Sequence, residues 1–133
     1  MEKAKVNKLQ KGILLFVAVG LVPIALGYGL MPEKSMSFLF NIPVSEVNLA
    51  HILRAVMGLY LALIIFWILG ALKEHLRQAA LYSMVVFMLG LAGGRILSLI
   101  VDGVPHWLLL LYLALELLFG ILGLLLIRSN KKT

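Results

Sequence analysis

The sequence predicts an all-α fold, a four-helix transmembrane bundle with a short interfacial segment between the first and second helices. Three observations predict it. Of the 133 residues 62% are hydrophobic and 14% charged, whereas a soluble domain is about 25% charged. Four long apolar runs occupy residues 12–30, 49–72, 76–101 and 107–127, and each reaches the ~20 helical residues that cross a hydrocarbon core of about 30 Å. The segments between them are short, so residues 1–133 form a single membrane domain. There is no cysteine, which excludes disulfides, thiolate nucleophiles and thiolate metal ligands.

The first run follows Lys3, Lys5, Lys8 and Lys11. It is too long for a signal-peptide core and lacks a small-residue cleavage site, so it reads as a retained helix, with Pro23 as a kink between Gly20 and Gly27. In the next segment Pro32 and Pro43 bracket a stretch containing Met36, Phe38, Leu39 and Phe40. Too short to span, it is expected to lie as a helix in the interface. The second and third runs are joined by a basic turn from Lys73 to Arg77, the third and fourth by Asp102-Gly103-Val104-Pro105, and such tight connections make antiparallel neighbours. Gly90 with Gly94 and Gly120 with Gly123 offer narrow faces for close helix approach.

Lys3, Lys5, Lys8, Lys11, Lys73, Arg77, Arg128, Lys131 and Lys132 fall on one side of the spans and Lys34 alone on the other. Short loops rich in Lys and Arg stay in the cytoplasm. The expected location is therefore the cell inner membrane, multi-pass, with both termini cytoplasmic. The net charge of +6 serves topology and forms no folded basic platform, which argues against nucleic acid as a partner. Trp107 and Tyr82 read as interface anchors, and His75 as a solvated loop residue.

An ionised side chain deep in the bilayer costs at least about 2.5–3.5 kcal/mol, so those inside the spans mark a site. They are Arg54, Arg95 and Glu116, with Asp102 at the outer end of the third span. At 1.5 Å per residue Arg95 lies roughly 10 Å below Asp102, and Glu116 roughly 16 Å below Pro105. Residues three, four and seven apart share a helix side. His51, Arg54, Gly58 and Ala62 make one stripe; Arg95, Ser98 and Asp102 a second; Tyr112, Glu116, Gly120 and Gly123 a third, with Tyr60 pointing elsewhere. The three stripes are expected to converge into a charge-balanced polar core in the outer half, above an apolar inner half. The expected pairs are Arg54 or Arg95 with Glu116, and Arg95 with Asp102.

The stretches Asn48-Leu-Ala-His51-Ile-Leu-Arg54-Ala-Val-Met-Gly58, Gly90-Leu-Ala-Gly-Gly94-Arg95-Ile-Leu-Ser98-Leu-Ile-Val-Asp102-Gly103-Val-Pro105 and Glu116-Leu-Leu-Phe-Gly120 together resemble a family of small bacterial four-helix integral membrane proteins of unknown function, domain-of-unknown-function family 4345. That family is similar in plan to the DoxX-like group and, more distantly, to the four-helix scaffold protein of fungal sterol synthesis. The resemblance covers the last three helices. It implies an arginine-and-acid core and an accessory or ligand-binding role, and it transfers no catalytic residue.

The functional expectation is a non-enzymatic membrane protein. It is either an accessory or scaffold subunit, whose buried ion pairs fix helix register, or the binder of a small amphipathic ligand in an outward-facing polar pocket with apolar walls. The candidate residues are Arg54, Arg95, Asp102, Glu116, His51, Ser98 and Tyr112. Two alternatives differ in class. One is a small proton-coupled transporter with Glu116 as the exchanging acid, set against the absence of an ionisable residue in the first span and of repeat symmetry. The other is a small membrane enzyme with an acid/base or metal site. Its zinc version would need His51, His106 and Asp102, but no H-E-x-x-H or related spacing exists. No nucleophile elbow, phosphate loop or dinucleotide fingerprint appears, so no catalytic residue, metal ligand or cofactor is assigned. Expected partners are membrane lipids, a small amphipathic ligand, and a second copy or another membrane protein docking on the glycine faces.

Overall fold

The structure is a computed structural model that describes residues 2–131, with side chains to Ser129; Lys132, counted above on the basic side, lies outside the described residues. It contains α1 (Glu2–Gly29), α2 (Pro32–Phe40), α3 (Val47–Leu72), α4 (Glu74–Val101) and α5 (Trp107–Lys131). All but α2 are long and apolar enough to cross a membrane. Exposed Val19, Val86 and Ile100 on the outer surface fit contact with lipid. The protein is thus an all-α bundle of a multi-pass membrane protein.

The basic start is not a tail. α1 begins at Glu2 because Val6 and Gln10 continue the buried stripe of Leu14, Val17 and Leu21 at helical spacing, while Lys3, Lys5, Lys8 and Lys11 stay exposed. Gln10 Nε2 donates to the Leu126 carbonyl across 3.2 Å, tying α1 to α5. Pro32 at the first turn of α2, where its missing N–H costs nothing, and left-handed Asn41 at its end (φ 59°) fix the short helix between the two prolines. Between α3 and α4 only Lys73 leaves helical geometry, so the two helices fold back on each other at once. Gly70 permits this, since a Cβ there would meet the Cβ of Ala80. After α4 the chain turns through Gly103 at φ +102°, a positive φ that glycine, lacking a Cβ, adopts without steric cost. The His106 Nδ1 then accepts the Leu108 N–H at 3.2 Å, satisfying one orphan donor of α5.

Around the bundle, α1 contacts α3 and α5, and α4 closes the ring between those two. The contacts Gln10–Leu126 and Arg77–Asn7 place the start of α1, the end of α5 and the α3–α4 turn at one end, here the terminal end. Contacts of Phe40 with His106 and Tyr112 mark the loop end. The core is concentrated toward the terminal end, where Leu14, Trp67, Leu81 and Met84 are fully buried. That half is not purely apolar as expected: Trp67 Nε1 donates to Ser83 Oγ at 2.9 Å, and Arg77 is buried there. Toward the loop end α4 buries nothing beyond Ala92. The thinning of the core leaves space around Arg95.

Candidate functional site

Arg95 and Glu116 face each other between α4 and α5. Arg95 Nε donates to Glu116 Oε1 at 2.9 Å and to Oε2 at 3.0 Å, with the side chains 21% and 8% exposed. Between two helices long and apolar enough to cross a membrane each charge alone would be costly, and together they sum to zero. Tyr112, one turn before Glu116 on α5, puts its ring 5.7 Å from the guanidinium carbon, within range of a cation–π contact. Tyr28 stands beside Arg95 and edge-on to Tyr60, ring centres 5.4 Å apart. Tyr60 is buried and also packs edge-on against Phe87 at 5.0 Å.

Tyr60, Arg95, Tyr112 and Glu116 border a cavity of about 250 Å³ whose surface is almost entirely apolar. The rest of its lining comes from Val17, Leu21 and Ile24 of α1, Met88 and Leu91 of α4, and Leu115 of α5. Phe16 and Phe119, ring centres 5.5 Å apart, close it toward the terminal end. Phe16, Gly20 and Leu115 are also exposed on the outside of the bundle, so the opening lies on the flank between α1 and α5. A second cavity of about 580 Å³ lies nearer the loop end, lined by Gly90, Gly94, Ser98 and Asp102, and shares Tyr60, Leu91 and Arg95 with the first. Arg95 stands between the two.

The other residues singled out from the sequence are distributed differently. Asp102 does not reach Arg95; its Oδ2 accepts the Ser98 hydroxyl at 2.7 Å, one turn away on the exposed end of α4. Arg54 turns away from the pair and donates from Nη1 to the Gly29 carbonyl at 3.1 Å. It caps the end of α1, where unsatisfied carbonyls and the negative end of the helix dipole favour a cation. His51 is exposed on α3. The α3 stripe therefore does not join the other two, because its rotation is set by the close approach of α1. A Cβ on Gly29 would lie 2.6 Å from Met57 Cβ and 3.0 Å from Arg54 Cα. Among the described residues no three His, Asp or Glu side chains gather as a metal group.

The glycine faces also divide. Gly120 and Gly123 are close-approach points against Leu89 and Met84, but Gly20, Gly90 and Gly94 would meet nothing within 4 Å and border the cavities. Arg77, read as a topology residue, is buried. Its Nε donates to the Gly70 carbonyl at 3.1 Å, Nη2 to the Ala71 carbonyl at 2.8 Å, and Nη1 to Asn7 Oδ1. Sequence reasoning missed Tyr28 and Tyr60 as members of the site, and Phe16 and Gly20 as its flank. The signal for Tyr60 was an amphipathic aromatic inside a span, where a hydroxyl needs a polar neighbour.

The model of a family described as a domain of unknown function (DUF4345) matches residues 9–127. No curated protein and no solved structure matches the chain.

Proposed function

Because the chain belongs to the DUF4345 family of domains of unknown function, a membership that assigns no chemistry, we propose its role from the site itself. The protein is a non-enzymatic binder of a small amphipathic molecule, whose apolar part occupies the cavity between α1 and α5 and whose head meets Arg95 and Glu116. One observation carries this reading: about 250 Å³ of mainly apolar wall converges on a paired arginine and glutamate with the phenols of Tyr60 and Tyr112. Apolar walls with a few convergent polar groups are the usual make-up of small-molecule sites. Since an apolar void of about 150 Å³ takes up benzene, this one accommodates a ring or a short run of chain. The remainder of a longer molecule would leave between Phe16 and Leu115 among the lipid tails. The basic residues gathered at the terminal end, together with the resemblance to bacterial proteins, support an inner-membrane location with both termini in the cytoplasm.

Gly20→Trp tests the reading, because position 20 has open space at its Cβ and borders the cavity. Lauryl methyl ketone is titrated into protein-containing nanodiscs and the bound fraction read by native mass spectrometry. The variant is expected to weaken binding about tenfold or more, a loss of 1.4 kcal/mol or more, with its thermal midpoint unchanged. Unchanged affinity would place the ligand elsewhere.

A further inference from the structure

We propose that the head recognised by this site is an uncharged hydrogen-bond acceptor, the carbonyl of a ketone, ester or amide, and not a carboxylate, a phosphate or an ammonium group; the proposal rests on the cavity-binding function above. Charge comes first. Arg95 and Glu116 are the only formally charged residues in the cavity lining among the described residues, and they cancel. An anionic head would give the site a net negative charge at a depth where net charge is the expensive state. Asp102, on the rim of the adjoining cavity that shares Arg95, adds a further negative charge on the approach from the loop end. An ammonium head would instead be brought against the guanidinium.

Hydrogen-bonding capacity points the same way. Both Glu116 oxygens share the single Arg95 Nε–H, and the carboxylate is only 8% exposed, so little of it is open to a ligand. Arg95 uses only Nε on Glu116. Its terminal amino groups make no bond to Glu116; Tyr28 stands beside Arg95, and Arg95 lines both cavities. A guanidinium has five donors and no acceptor, and a phenol can donate. The half of the pair more open to a ligand is therefore the donor, Arg95 at 21% exposed against Glu116 at 8%, and a head bearing acceptor lone pairs without charge meets it while keeping the sum at zero.

The charge logic gives a test with a sign. Lauryl methyl ketone, laurate and laurylammonium are compared at equal mole fraction in nanodiscs. The wild type is expected to bind the ketone about tenfold or more tighter than either ion. Glu116→Gln leaves Arg95 uncompensated and is expected to reverse the order, placing laurate above the ketone. Preference for an ion by the wild type, or a variant that keeps the ketone first, overturns the proposal while leaving the cavity reading intact. Binding of none of the three to the wild type overturns the cavity reading and the proposal with it. Should Glu116→Gln fail to fold, the double variant Arg95→Met/Glu116→Leu replaces the pair by apolar groups, which proteins commonly tolerate. It is expected to bind the ketone about tenfold more weakly than wild type and still to reject laurate; wild-type affinity for the ketone would overturn the role of the Arg95 donors.

Discussion

Arg54, Arg77 and Arg95 each solve the problem of an arginine near or within hydrocarbon, by two routes. Arg95 is neutralised by Glu116, whereas Arg54 and Arg77 spend their donors on carbonyls at the ends of α1 and α3. Sequence periodicity shows which residues share a helix side but not which neighbour that side meets. This is why Arg95–Asp102 was expected and Ser98–Asp102 is found, and why two helix caps read as a charge partner and a topology marker. The distinction is measurable by thermal unfolding in detergent. Glu116→Leu strands a buried cation and should cost about 3–5 kcal/mol, most of it restored when Arg95→Met is added. Arg77→Leu should cost about 1–3 kcal/mol by orphaning the Gly70 and Ala71 carbonyls. If the double variant is no more stable than Glu116→Leu alone, the two side chains do not act as a pair.

At the scale of elements, the spans were legible because bilayer thickness fixes helix length, and the α2 segment because two prolines bracket it. Glycine faces were less so, since a small residue permits close approach without saying whether a neighbour takes it. Gly70 and Gly90 make opposite cases on adjacent helices. Gly70→Ala should destabilise by about 1–3 kcal/mol, because its Cβ is driven against Ala80 and Leu76 in a tight crossing. Gly90→Ala meets open space and should stabilise by roughly 0.5–1 kcal/mol through helix propensity alone. Equal shifts in thermal midpoint for the two variants would contradict this assignment of tight and open glycines. Gly20, Gly90 and Gly94 are open and border the cavities, so the looseness of the loop-end half lies where these helix faces are not met by a neighbour.

The whole molecule is a bundle with a dense terminal half and a hollow loop-end half. Its orientation is checked by cysteine accessibility, made clean by the absence of native cysteine. In intact cells a membrane-impermeant maleimide should label Lys34→Cys, and should label Ser129→Cys only after permeabilisation; the converse pattern would invert the topology. The hollow half could not be foreseen from composition, because a cavity depends on how four faces fail to meet, and Tyr28, Tyr60, Phe16 and Gly20 belong to it through that geometry. On the proposed function this space holds an amphipathic molecule that enters between α1 and α5. The most direct measurement is photolabelling in native membranes with a diazirine placed in the chain of lauryl methyl ketone, followed by peptide mapping. Adducts are expected to concentrate on Phe16, Gly20, Leu115 and Phe119 and to be lost in the Gly20→Trp variant. Adducts spread evenly over the lipid-facing surface, with Val86 and Ile100 labelled as strongly as Phe16, would contradict it.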